Sequence, residues 1–369
     1  MKTAVSTYAF INAKLRGRLS RLIPHDSLMQ IVAAQSLEEA VHLLAPTVFA
    51  PAVDVYEETG DLLLTELAIE RVYRESLQDI SRYVAQFTDP PITAFVSALL
   101  LRFELASVKN AVRLWFERVF RKRLIEDKIP YLLRSDPGNR KTALPLDALV
   151  NAPDSGVLSS LVGGKPYSSA FASAISSVDE DRSLFRFEVA LDRWYYQNLA
   201  SAAKSLNQRD QAIAERLIGI EIDVINVNWI VRMQTYYREG TAGSSAQLLS
   251  GGAITDRKTL DETMQSQKPA QFLAELLGKR IGSSFSAQPE ATAGREERSD
   301  ATTRTLAFLE TLLQQLLVYE SRRALGGYPF SIGVVLAYVS LSQQEARAIT
   351  TILNGKYYDL SHERIGALL

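Results

Sequence analysis

The stretch Ile220–Gln234, IEIDVINVNWIVRMQ, recurs twice in altered form at a near-constant period, and that period constrains the fold more than any other feature of the chain. With Asp223 aligned on Glu104 and Glu345, successive carboxylates lie 119 and 122 residues apart. The flanks agree: Ser107-Val108-Lys109 and Arg113 match Asn226-Val227-Asn228 and Arg232, and Ala348-Ile349-Thr350 and Asn354 follow with looser identity. A chain of 369 residues thus holds about three periods. Solenoid repeats run to roughly 20–50 residues, so a unit of this length is domain-sized and points to three small domains.

Two further signals recur between the copies of this stretch, here called X. The first, A, is a short helical pair: Leu28 and Ile31 begin one helix, and Ser36–Glu39 has the form of a capping box that opens another. Leu146–Leu149 repeats the A spacing, and Leu260 marks its third occurrence. The second signal, B, is a long amphipathic segment over Asp61–Phe87 containing IERVY at Ile69–Tyr73. It is echoed by LDRWYY from Leu191 and by LAFLETLLQQLLVYE from Leu306. X follows each time, at residues 92–123, at the opening stretch, and at LSQQEARAITTIL from Leu341. Ser177–Glu180 and Ser342–Glu345 also have the form of capping boxes, the latter giving Glu345 an ordinary helix-end role.

The order A, B, X therefore occurs three times and predicts domains at 1–134, 135–245 and 246–369. A basic helix over residues 8–23 precedes the first A. The polar, Gly- and Ser-containing segments Glu239–Ile254 and Ser283–Thr303 read as connections, the second an insertion in the third domain. Two-residue alternation is almost absent, so the fold class expected is all-α.

On a helix at about 100° per residue, Glu221, Asn228 and Arg232 share one stripe, while Asp223 and Asn226 fall among Ile222, Val227, Ile230 and Val231. Glu104 and Glu345 take the equivalent place. A carboxylate on an apolar arc must find donors, from a helix terminus or an Arg, or its burial would cost several kcal/mol. The chemical reading is an ion or proton site, or an acid and base shared among three carboxylates. The plainer reading is a polar clamp that fixes helix packing in each domain, and repetition favours it, because duplicated units keep what folds them.

Other chemistry is sparse. Lys plus Arg total 41 against 42 Asp plus Glu, which gives no electrostatic argument for nucleic-acid binding. Cysteine is absent, removing disulfides and thiolate metal sites. Gly164-Lys165, Gly278-Lys279 and Gly355-Lys356 lack the other residues of a phosphate-binding loop, and His25, His42 and His362 are scattered, so no metal or cofactor is expected. The first residues lack the apolar core of a secretory signal, and no apolar run reads as long enough to span a bilayer. Two basic clusters, Lys14, Arg18 and Arg21 on one helix face and Arg118, Arg121, Lys122 and Arg123 at the end of the first X, are candidates for docking to acidic partner loops or lipid headgroups, against the plainer reading of solvated faces.

Four stretches, YAFINAKLRGRLSRL, FELASVKNAVR, IGIEIDVINVNWIVR and YPFSIGVVLAYVSLSQQEARAITTILNGK, together make the chain resemble the C (AC39-type) subunits of V/A-type ATPases, relatives of the d subunit in eukaryotic vacuolar ATPases. In the first of them Asn12, Lys14 and Arg18 also follow the X pattern. Gln343, Gln344, Ala348 and Thr351 depart from the family's usual residues around Glu345 and mark the third X as divergent. The resemblance implies a non-catalytic rotor subunit of three similar helical domains around a pseudo-threefold axis, forming a funnel. It implies as partners a coiled-coil central shaft with its small companion subunit and a membrane proteolipid ring. The chain would then be one copy in a hetero-oligomer, peripheral at the cytoplasmic face of the membrane. Two rival readings are a cytosolic helical scaffold or adaptor and a hydrolase using Glu104, Asp223 or Glu345.

Overall fold

The computed structural model describes residues 3–125, 144–236, 248–266, 271–273, 275–276 and 298–369, with backbone alone at 181, 231–236 and 298–308. Every regular element among them is helical. The boundaries expected near residues 134 and 245 lie outside the described residues, as do 283–297 of the insertion and the side chain of Arg232. The chain forms two compact units, Met1–Leu206 with Pro329–Leu369, and Asn207–Tyr328.

In the first unit, α1 (Ala4–Leu19) buries Tyr8, Ile11 and Leu15 along one face. It ends before Arg21, so Arg21 does not continue the helical face of Lys14 and Arg18. The A pair is α2 (His25–Ala33) and α3 (Leu37–His42). The capping box at its second member forms in a shifted version: Ser36 Oγ accepts the Glu39 N–H, and the Glu39 carboxylate reaches back past the N-cap to accept the N–H of Gln35. After α4 (Ala50–Thr59) comes B, α5 (Leu62–Phe87), begun where Asp61 accepts the Leu63 and Leu64 N–H groups at 2.8 and 3.2 Å. Loss of that cap in Asp61→Ala is expected to cost about 1 kcal/mol, read as a lower urea midpoint.

The first X is α6 (Pro90–Val119), whose two leading prolines sit where no helical N–H is needed. By length and composition α6 could cross a bilayer, contrary to the expectation that no apolar run is long enough. Its apolarity is used in packing: Phe95, Leu99, Leu105, Val108, Val112 and Trp115 are buried, and the helix lies against α5 and the second A and B elements. Those are α7 (Leu146–Asn151) with α8 (Ser155–Leu161) and α9 (Ser168–Asp181), then α10 (Phe185–Ala203). Ser177–Glu180 is not a helix start; it closes α9, and α10 begins after the left-handed Arg182.

In the second unit, the second X, α11 (Gln208–Tyr236), packs on the third B, α13 (Arg298–Gly326), with α12 (Arg257–Gln265) as the third A. The third X, α14 (Gly333–Tyr357), belongs to the first unit, where it packs against α1, α2, α3, α5 and α15 (His362–Gly366). Ser342 lies in mid-helix, so Ser342–Glu345 caps no N-terminus.

The sequence period and the packing unit are out of phase by one helix. α6 packs on the second A and B elements as well as on α5, the B of its own cycle, α11 on the third B, and α14 on the first A and B. Each X thus joins the cycle that follows it, and the third X joins the first.

Candidate functional site

Most polar residues of X face the next A and B, although Ser107 of α6 accepts Arg74 Nη1 on α5, the B helix of its own cycle, at 3.0 Å. The aligned carboxylates come first. Asp223, wholly buried, accepts the main-chain N–H groups of Ile254 and Thr255 at 2.8 and 3.0 Å and the Thr255 hydroxyl, all on the segment entering α12. Asn226, one turn on, exchanges two hydrogen bonds with the main chain of Leu249 at 2.8 and 2.9 Å. This approach is possible only without side chains: a Cβ at Gly252 would lie 2.2 Å from Asp223 Oδ1, and one at Gly219 2.8 Å from the Ala253 nitrogen. Burial raises the Asp223 carboxyl to about 6, against the lowering effect of its donors.

Glu104 accepts Lys165 Nζ at 3.0 Å and the Tyr167 hydroxyl at 2.7 Å, both between α8 and α9. Burial and the carboxylate together push the Tyr167 phenol upward. Glu345 accepts the N–H of Ile23, just ahead of α2. The three carboxylates share no donor, and each fastens its X helix to chain entering or within the next A element.

Nine residues beyond the carboxylate, Arg113 pairs with Glu188 on α10 at 2.6 Å, and Asn354 donates to Glu66 on α5. Glu66 and Glu188 are themselves equivalent positions of B. Five residues beyond the carboxylate, Lys109 pairs with Asp192 on α10, and Asn228 donates to Glu310 on α13 at 3.2 Å. The B helices answer with a tyrosine: Tyr73 donates to the Val339 carbonyl at 3.2 Å, and Tyr195 to that of Leu99 at 3.1 Å.

A further fastener, unmarked in the sequence, lies eleven residues beyond the carboxylate. The Trp115 indole N–H donates to the Ala152 carbonyl at 3.0 Å, at the end of α7. At the same position of the third X, Lys356 Nζ donates to the carbonyls of Val32 and Ala34, at the end of α2. Two chemically unlike residues thus cap the outgoing carbonyls of equivalent helices, a job that favours a donor of either kind. Arg118 joins Trp115 there, donating to Val150 and Ala152.

The basic clusters divide accordingly. Arg18 is held by Asp79 and the Ser76 carbonyl on α5, and Arg118 caps α7. Arg121 and Arg123 pair with Glu117 at 2.6 and 3.0 Å while remaining largely exposed. Lys14, Arg21 and Lys122 are exposed. Among the described residues no group of three or more His, Cys, Asp or Glu is placed to hold a metal ion.

The buried polar groups are thus a repeated set of fasteners, defining a helical protein in which each X helix is held to the elements packed on it. The chain belongs to the ATP synthase (C/AC39) subunit family, whose profile matches residues 11–368. It is accordingly a non-catalytic subunit, part of a membrane-bound ATP synthase complex of the V/A type. Similar proteins include the C subunit of the A-type ATP synthase of Methanocaldococcus jannaschii, 23% identical over 99% of this chain and 86% of the relative. The C subunit of the V-type ATP synthase of Deinococcus radiodurans is 23% identical over 97% and 90%, and that of the A-type enzyme of Halobacterium salinarum is 22% identical over 99% and 97%.

Proposed function

We infer that this chain is the central-stalk coupler of its rotary ATPase, joining the coiled-coil shaft and its small companion subunit to the membrane proteolipid ring and passing torque between them. The observation that carries the reading is the match to the C/AC39 family over nearly the whole chain, with relatives of similar length that bear the same subunit name. The fasteners support it mechanically. A torque-bearing body must keep its helices from sliding, and buried charge-assisted bonds at several heights of each X helix oppose sliding.

In this reading the three A, B, X cycles form three helical domains around a pseudo-threefold axis, a funnel that receives the shaft. The exposed Lys14, Arg21, Arg121, Lys122 and Arg123 supply salt-sensitive docking at the cytoplasmic face, to acidic partner loops or headgroups. Affinity purification of the tagged chain from detergent-solubilised membranes tests this placement. Shaft and ring subunits are expected in fixed stoichiometry with it; recovery of the chain without them contradicts the reading and favours a cytosolic adaptor.

A further inference from the structure

The C-terminal helix and the N-terminal segment meet where Glu345 accepts the Ile23 N–H. This contact differs in kind from its two counterparts. Asp223 has two main-chain donors and a hydroxyl, and Glu104 has an ammonium and a phenol. Glu345, 8% exposed, has one main-chain donor. Burial pushes its carboxyl up to about 7, opposed by the Ile23 N–H.

Glu345 borders a cleft of about 640 Å³ within the first unit, open to solvent and lined by the end of α1, the chain entering α4, and parts of α5 and α14. Ser342, three residues earlier on the same face of α14, borders it too, and its buried Oγ has no hydrogen-bond partner. The ionisable groups around this space are Arg18 and Arg21 from α1 and its end, Tyr73, Glu75, Asp79 and Arg82 from α5, and Tyr338 from α14. Asp79 engages both Arg18 and Arg82, while Glu75 pairs with Arg71 and is largely exposed. Three arginines stand against Glu75 and Asp79, a balance completed only by an ionised Glu345, so with Glu345 ionised the cleft carries no net charge to select an anion. It holds instead a buried carboxyl with one donor beside a hydroxyl with none.

We propose that Glu345 and Ser342 form a proton-operated latch between the C-terminal helix and the N-terminal segment, tightened when Glu345 takes up one proton. The neutral acid keeps the Ile23 N–H on its carbonyl oxygen and turns its own O–H to Ser342 Oγ, a bond the two side chains do not make as they stand, giving each a partner. Release of that proton to water leaves a carboxylate poorly solvated where it stands, and the contact loosens. The sign follows from linkage: a carboxyl that binds its proton more tightly when closed favours closure below its ordinary value, and the advantage is lost as pH rises through the closed value. The latch rests on the geometry of the first unit and not on the rotor role.

Hydrogen exchange of the full chain between pH 5.5 and 8, read by mass spectrometry on peptides spanning residues 20–33 and corrected for the intrinsic pH dependence of exchange, tests it. Protection in the unaltered chain is expected to fall roughly thirtyfold across this range. Glu345→Gln should flatten the dependence, and Ser342→Ala should reduce it severalfold. A pH-independent unaltered chain, or the full dependence surviving in either variant, overturns the latch. If Glu345→Gln does not fold, the unaltered chain and Ser342→Ala decide the matter.

Discussion

Asp223→Ala is expected to destabilise the Asn207–Tyr328 unit by about 3–5 kcal/mol, at the high end of single substitutions. The variant leaves the Ile254 and Thr255 N–H groups and the Thr255 hydroxyl facing an apolar methyl in a wholly buried site. Each orphaned donor carries its own desolvation penalty, and Gly252, held close to the carboxylate, leaves a gap that main chain cannot easily fill. Urea unfolding followed by hydrogen exchange on peptides of α11 reads this unit, since the fluorescence of Trp229 is overlaid by Trp115 and Trp194 of the first unit. A pH signature accompanies it. The folded carboxyl binds its proton up to about pH 6, above its ordinary value of 3.8. Its contribution to stability is therefore greatest below about pH 4 and is lost as pH rises through about 6. The unaltered unit should show that decline, and Asp223→Ala should not. A loss under about 1 kcal/mol, below the usual cost of stranding buried donors, with the decline intact, means Asp223 is no fastener.

Trp115→Ala is expected to cost about 3–5 kcal/mol, here in the first unit. The ring is fully buried against the second A element and its N–H holds the Ala152 carbonyl, so truncation removes both packing and a cap. Trp115→Phe, which keeps most of the volume, should cost about 1–2 kcal/mol, since the carbonyl then loses one donor while the Arg118 contact to it remains. Thermal unfolding of the two variants side by side separates the terms. Equal losses would show that the hydrogen bond, not the packing, dominates; a negligible loss in both would mean that Trp115 is no fastener.

Much of this was legible in the sequence, and the exceptions have physical causes. The B helix from Asp61 to Phe87 could be read nearly to the residue because an aspartate cap and a proline pair mark its ends. The three carboxylates were found because a period exposes equivalent positions even where identity is low. Their partners were not, for two reasons. A repeating order A, B, X can be cut anywhere, and no residue type says whether X packs backward or forward. The donors to Asp223 and Glu345 are also largely main-chain N–H groups, which leave no mark in composition. Gly252 was the available signal, a glycine that close approach requires. Trp115 and Lys356 show no shared role in the sequence because different side chains do one job, and Arg118 resembles a docking charge because a carbonyl-capping arginine and a solvated one look alike in sequence.

The coupling role is tested most directly by measuring ATP hydrolysis and ATP-driven ion transport together in membrane vesicles prepared with and without this chain, restoring it by expression. Without it the soluble head is expected to hydrolyse ATP while transport is lost, and the restored chain to recover transport. Transport undiminished in its absence would contradict the coupling role outright.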